Sequence, residues 1–217
     1  MRKLLLTLLA LFISGTVAGD DKVQEIAALR MDKATLTQWK QHEFEGLTLY
    51  KRISVDNRVA IKAVSHGTAS AFYREMEVDI RQYPYLSWSW KVTEAAANPV
   101  EKQKSGDDFA ARIYVVVKTG LFPWQVIAFN YVWSMDNEPS REWASPYSEK
   151  VIMKVMNRGQ TEFGQWHTHK VNILKDLQAT FGQEIQSIDG IAVMTDMDDT
   201  GNSATAYYGN ITFSKEN

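Results

Sequence analysis

The sequence predicts an all-β chain folded as a jelly-roll sandwich with one late, short helix. Three observations carry that reading. Apolar side chains recur at every second position in roughly nine short segments, the period of a strand with one buried face. Clusters of Gly, Pro, Asn and Asp separate those segments. Strand and helix patterns do not alternate, which removes a parallel α/β sheet and leaves antiparallel sheets packed face to face. The 217 residues are 45% hydrophobic and 12% aromatic, enough to bury a core without disulfides, and there is no cysteine to form one.

The first residues stand apart from that pattern. Arg2 and Lys3 precede an apolar run from Leu4 to Ile13 broken only by Thr7, and Thr16, Val17, Ala18 and Gly19 supply small residues for cleavage. Residues 1–19 are therefore expected to be a signal peptide, removed on export to a bacterial periplasm or beyond. An uncleaved membrane anchor is the alternative, although the run falls short of the ~20 residues that span a bilayer. Residues 20–38 carry weak helical spacing at Val23, Ile26 and Leu29 among many charges, as in a short helix or an ordered arm. Residues 39–217 are expected to form one sandwich domain.

Within it the strands follow in order. Leu47 to Ser54, Arg58 to Ser65 and Ala71 to Ile80 read as strands, with turn compositions at Val55-Asp56-Asn57 and His66-Gly67-Thr68. After Tyr83-Pro84 the alternation is cleanest. Leu86, Trp88, Trp90 and Val92 point toward a core, while Tyr85, Ser87, Ser89 and Lys91 point toward water. A polar loop from Thr93 to Ser105 leads to a run from Phe109 to Val117 that is apolar on both faces except for Arg112, as in a central strand covered on both sides. Ile127 to Trp133 and Val151 to Val155 continue the series, and the two prolines within Asp136 to Pro146 mark a surface loop between them. Asn172 as N-cap, Ile173, Leu174, Leu177 and Phe181 at helical spacing, and Gly182 as C-cap predict the helix. Ile188 to Thr195 and Ala204 to Phe213 close the chain around the acidic stretch Asp196 to Ser203.

Charge and missing motifs exclude several functions. The 24 basic and 26 acidic residues leave a net charge of -2, and no basic stretch is dense enough to neutralise a phosphate backbone, so nucleic acid is not an expected partner. The glycine fingerprints of nucleotide loops, the G-x-S-x-G elbow and H-E-x-x-H are absent.

The strongest local motif is Asp196-Met197-Asp198-Asp199-Thr200-Gly201. Oxygen ligands at alternate positions with a glycine sixth suit a chain that wraps calcium, which makes Asp196, Asp198 and Thr200 the candidate metal ligands. Position twelve is Tyr207 instead of a bidentate Glu, and the flanks read as strands. The same residues therefore also suit a hairpin loop in which Asp side chains bond nearby N–H groups and Gly201 takes positive φ.

Other candidates are more dispersed. Asp107-Asp108 opens the central strand that carries Arg112. A buried Arg needs a carboxylate, and Asp108 shares its face but lies about 13 Å along the strand, so the pairing needs other residues. Asp108 with Asp198 could also be the acid and base of a glycosidase. Asn130, Tyr131 and Trp133 lie on one strand in a chain with seven tryptophans, and exposed tryptophans beside Asn, Asp and Arg suit a sugar, whose apolar face stacks while its hydroxyls hydrogen-bond. Trp88 and Trp90 are expected in the core, Trp124 and Trp143 at the surface. His167 and His169 project to one side of a strand and could chelate zinc, but no third ligand is near and a solvated face is the simpler reading. Asn210-Ile211-Thr212 is a formal glycosylation sequon, read as chance in a bacterial export product.

Several of these motifs occur together in a known family. Phe44-x-Gly46-x-Thr48-x-Tyr50, Pro84-Tyr85-Leu86-Ser87-Trp88-Ser89-Trp90-Lys91-Val92, Gly106-Asp107-Asp108 leading to Arg112-Ile113-Tyr114-Val115, Tyr131-Val132-Trp133, and Met194-Thr195-Asp196-x-Asp198-x-Thr200-Gly201 with Ala206-Tyr207-Tyr208-Gly209 resemble the bacterial domain of unknown function 3047. The resemblance covers nearly all of the chain beyond the leader. It implies export and a β-sandwich of the galactose-binding type, a fold shared by many carbohydrate-binding modules and some enzyme accessory domains, and it implies no activity. After Trp166 the chain departs from the family, with His169 and Val171 where an acidic and a basic residue are expected. The positions that match are Asp107, Asp108, Arg112, Asn130, Trp133, Asp196, Asp198 and Gly201.

The expected function is that of an exported, non-catalytic β-sandwich that binds a glycan or another small polar ligand. Asp196 and Asp198 would hold calcium or accept from hydroxyls, Asp107, Asp108, Arg112 and Asn130 would orient polar groups, and Trp133 or a loop tryptophan would stack. One alternative is an envelope glycoside hydrolase using Asp108 with Asp196 or Asp198, whose carboxylates should then lie roughly 5 to 10 Å apart in a cleft. Another is a structural envelope-assembly protein, which would present an exposed apolar patch.

Overall fold

The computed structural model of the chain describes residues 24–98, 100–120, 125–136, 140–182 and 185–216. The expected leader and Trp124 lie outside them. In chain order the strands are β1 (Glu25–Leu29), β2 (Lys40–Glu45), β3 (Leu49–Val55), β4 (Arg58–His66), β5 (Ala69–Asp79), β6 (Tyr85–Ala95), β7 (Ala111–Lys118), β8 (Val126–Ser134), β9 (Glu142–Ser145), β10 (Ser148–Arg158), β11 (His167–Asn172), β12 (Ser187–Met194) and β13 (Ser203–Ser214). Two helices accompany them, α1 (Lys33–Leu36) and α2 (Ile173–Phe181).

One sheet has the order β11-β6-β13-β4-β3, with β1 also on β13; the other has the order β2-β5-β12-β7-β8-β10-β9. The chain changes sheet at each step from β4 to β7 and again from β10 to β13, the crossing connectivity of a jelly roll. Every pairing is antiparallel except β8 with β10.

The core lies between the sheets. Leu86, Trp88, Trp90 and Val92 of β6 face Ile113 and Val115 of β7 and Phe129, Tyr131 and Trp133 of β8. Trp88 and Trp90 are 1% and 0% exposed, as their alternation required, and the Trp88 and Tyr131 ring centroids are 4.9 Å apart. Full burial of a side chain such as Phe129 stabilises by about 1.5–3 kcal/mol. On the other face of β6, Lys91 is buried instead of wet, because its ammonium pairs with Asp56 and lies over the Tyr207 ring. The expected cover on both faces holds only in part: Phe109, Val132 and Met153 cluster outside the sheet beside the start of β7, but Tyr114 and Val116 on its outer face are half-buried and Lys118 is exposed.

Several elements differ from the sequence reading. The arm is a strand and one helical turn, since β13 is long and β4 pairs only with Ser203 to Tyr208. β1 satisfies the remaining edge, from Ile211 to Ser214, and that demand outweighs weak helical spacing. β2 is exposed at every residue and has no apolar alternation; its ladder to β5 holds it. β9 forms inside the stretch read as loop by pairing with β10. The helix α2 has the expected caps: Asn172 Oδ1 accepts from the Lys175 N–H at 3.0 Å, and Gly182 has φ 59°.

His167 and His169 do not form a solvated face. They pack beside the rings of Trp133 and Trp88, and His169 Nε2 lies 2.7 Å from Asn157 Oδ1. Burial pushes the His169 imidazole down to about 4, helped by His167. No helix among the described residues is long and apolar enough to cross a membrane.

Candidate functional site

The outer face of the seven-stranded sheet carries the chemistry. Register sets Ala71, Met194 and Arg112 side by side on β5, β12 and β7, followed two residues along by Tyr73, Ala192 and Tyr114. Where β12 leaves the sheet, three connections close around this face.

The first is the loop before β7. Asn98 Nδ2 donates to the carbonyls of Gly106 at 2.7 Å and Asp108 at 3.3 Å. A Cβ on Gly106 would come within 2.7 Å of the Val100 carbonyl, so only glycine lets this loop close and deliver Asp107 and Asp108.

The second is the acidic loop after β12. The Asp196 N–H donates to the Phe109 carbonyl and the Met197 N–H to the Thr68 carbonyl. Asp108 then clasps the loop, its Oδ1 accepting from the Asp199 N–H at 3.1 Å and its Oδ2 from the Thr200 N–H at 2.7 Å. Gly201 has φ 68°, the left-handed turn expected of it.

The third is the link between β9 and β10. Tyr147 reaches across it and donates its hydroxyl to Asp199 Oδ1 at 2.7 Å. That bond favours the neutral phenol and pushes the Tyr147 hydroxyl up to about 12.

The partner that Arg112 required is Asp196. Arg112 Nε donates to Asp196 Oδ1 at 2.8 Å, and a second bond joins Nη2 to Oδ2. Arg112 Nη1 donates to the Tyr114 hydroxyl at 3.1 Å and lies 4.0 Å from Asp107 Oδ2. Burial opposes charge on Arg112, but Asp196, Tyr114 and Asp107 offset it, and the guanidinium is held well above its ordinary value.

Above this floor opens a cleft of about 490 Å³. The rings of Phe44 and Tyr147, 60% and 56% exposed, stand at it, with Tyr114, Asp107, Asp198 and Asp199. Burial raises the carboxyls of Asp107 and Asp198, and the neighbouring acids Asp108 and Asp199 push both further up. Asp107 Oδ2 accepts from Ser145 Oγ, and its Oδ1 is buried without a hydrogen-bond partner among the described residues.

The carboxylates that converge are Asp108, Asp198 and Asp199, whose oxygens lie within 4.8 Å of one another. Of the expected metal set, Asp196 is instead occupied by Arg112, and the Thr200 hydroxyl accepts from the Asn202 N–H. Asp108 and Asp198 bring oxygens within 4.8 Å of each other, closer than the roughly 5 to 10 Å expected of a glycosidase pair, and both oxygens of Asp108 are committed to the loop backbone.

Trp133 is a correction. It is 0% exposed on the inner face, its Nε1 donates to the Gly159 carbonyl at 3.0 Å, and it points away from Arg112. Asn130 does share the outer face, opposite Tyr114, but it is fully buried, does not line the cleft, and its side chain makes no hydrogen bond among the described residues. Trp143, expected at the surface, is half-buried against Phe109.

Tyr114, Phe44, Tyr147 and Asp199 were missed as site residues. Tyr114 could have been found from its two-residue spacing to Arg112, and Tyr147 as an aromatic beside Pro146 in a polar stretch.

Residues 37–212 match the model of a family described as a protein of unknown function, DUF3047. The chain belongs to that family. No curated protein matches it in sequence. Among solved structures, the family 30 carbohydrate-binding module of a cellulosomal cellulase from Clostridium thermocellum is similar at TM-score 0.52 and 9% identity, covering 89% of this chain and 98% of that one. The xyloglucanase domain of NopAA from Sinorhizobium fredii gives 0.48 and 10%, covering 82% and 93%. Winged bean acidic lectin gives 0.42 and 8%, covering 89% and 99%. The first likeness establishes the β-sandwich fold of this DUF3047 member.

Proposed function

We propose that this chain is an exported, non-catalytic carbohydrate-binding sandwich whose ligand lies in the cleft between Phe44 and Tyr147. One observation carries the reading: two exposed aromatic rings border a cleft whose floor holds Asp107, Tyr114, Asp198 and Asp199. Aromatic faces suit the apolar face of a pyranose, and carboxylates accept from its hydroxyls in geometry fixed by the Arg112–Asp196 pair beneath. The fold shared with a carbohydrate-binding module agrees with this role without assigning it. Binding is preferred to hydrolysis because Asp108 and Asp196, two of the three candidate catalytic acids, spend their oxygens on backbone N–H groups and on Arg112.

Calcium belongs to the same proposal, held by Asp198 and Asp199 beside Asp108, whose oxygens keep lone pairs beyond the two loop N–H bonds. The test is a glycan array probed with residues 20–217, with Tyr147→Ala and Asp198→Asn alongside. Saccharide binding that both substitutions weaken supports the reading. An array without signal, or one that both variants reproduce unchanged, overturns it.

A further inference from the structure

A second cleft, of about 430 Å³, opens on the same outer face and the same three strands. Its lining includes Tyr73 of β5, Gly190 and Ala192 of β12, and Val116 of β7. The first cleft is lined on these strands by Ala69, Met194, Arg112 and Tyr114. Met194 lines the first cleft and Ala192 the second, two residues apart on one strand and on one face, so the clefts are neighbours, about 6.6 Å apart along the backbone.

The middle of this face is built low. Between them β12 contributes Ala192, flanked in register by Tyr73 and Tyr114, and then Gly190, flanked by Glu75 and Val116. The central strand therefore contributes only a methyl group and a hydrogen, and the Tyr73 and Tyr114 rings pack against the buried Ala192 from either side. From Met194 to Asp189 the strand runs about 17 Å at ~3.3 Å per residue. That length holds several linked sugar rings and is far more than one ring fills.

Charge narrows the occupant. The first cleft presents Glu45, Asp107, Asp198 and Asp199, with Arg112 already paired with Asp196, and the second adds Glu75 and Asp189 beside Arg74 and Lys118, so acids outnumber bases along the path. A polyanionic chain would be repelled there, and an uncharged one would not.

We infer that the trough along β12 binds a linear, neutral polysaccharide chain, with Tyr73 forming a second ring-stacking position remote from the acidic loop. This rests on the carbohydrate reading of the first cleft and extends it from a single sugar to a chain.

The experiment is calorimetric titration of residues 20–217 with β-1,4-linked gluco-, xylo-, manno- and N-acetylglucosamine oligomers of two to six units, and with oligogalacturonates as anionic controls. In at least one neutral series affinity should rise about tenfold or more from dimer to hexamer, and Tyr73→Ala should remove about tenfold of hexamer affinity. Thermal unfolding of the variant checks that it is folded, and Tyr73→Phe should restore hexamer binding. Dimer binding that depends on Tyr147 with no gain in length, or a gain indifferent to Tyr73, overturns the trough and leaves the first cleft standing. Preference for oligogalacturonate overturns the neutral class. No binding in any series defeats both readings.

Discussion

Arg112 and Asp196, 84 residues apart in sequence, meet through two hydrogen bonds at the floor of the cleft, and both side chains are almost wholly buried. The pair fixes the end of β7 against the loop after β12. Removing one partner leaves an unpaired charge in the interior, which costs about 3–5 kcal/mol. Arg112→Met and Asp196→Leu should each lower the urea midpoint by that equivalent, while the double variant recovers much of the loss. Equal destabilisation in single and double variants would contradict the pairing.

Trp133 offers a test of face. With its indole packed near Trp90 and Phe163 between the sheets, Trp133→Ala should cost about 3–5 kcal/mol by leaving a cavity. Trp133→Phe should cost less, and neither should change glycan affinity in the protein that remains folded. Stable variants that lose affinity would return Trp133 to the ligand.

Two buried groups give opposing pH dependences. Glu101 is fully buried and accepts from Ser134 Oγ at 2.7 Å and from the Asp136 N–H at 3.1 Å, and burial pushes its carboxyl up to about 7. The native state therefore holds this proton more tightly than the unfolded chain, and the stability it adds in acid is lost as pH rises from about 4.5 to about 7. His169, pushed down to about 4, works the other way: its contribution is present at neutral pH and is lost as pH falls from about 6.5 to about 4. The Glu101 effect is on the order of 3 kcal/mol across its window, and solvent screening makes that of the less buried His169 smaller. Glu101→Gln should make the protein more acid-sensitive than the parent, and His169→Gln less so, in denaturant midpoints measured from pH 4 to 8. Parallel profiles would refute both assignments.

The acidic loop predicts a metal response. Calcium at a hundredfold excess over its Kd would stabilise the native state by about 2.7 kcal/mol, raising Tm by about 5–10 °C relative to chelator. Asp198→Asn and Asp199→Asn should each abolish most of the rise. The same Tm with calcium and with chelator would leave the loop to the hydrogen bonds of Asp108.

How much of this was legible follows from the range of the interactions. The alternation of Leu86, Trp88, Trp90 and Val92 is local and named the inner face of β6 directly, as Asn172 and Gly182 named the ends of α2. β2 has no such signal, because a ladder to β5 holds six exposed residues. The acids Asp107, Asp108 and Asp198 were found as residue types near the right strand, but which carboxylate met Arg112 depended on tertiary placement. The misreading of Trp133 was avoidable, since an odd separation from Asn130 puts the two side chains on opposite faces.

Calorimetric titration of residues 20–217 with the saccharide that binds most strongly on an array, repeated with Tyr147→Ala and Asp198→Asn, tests the central claim most directly. The account predicts saturable binding by the parent and about tenfold weaker binding by each variant, with unfolding midpoints little changed. Equal affinity in all three proteins would put the ligand elsewhere on the molecule and contradict the assignment of the cleft.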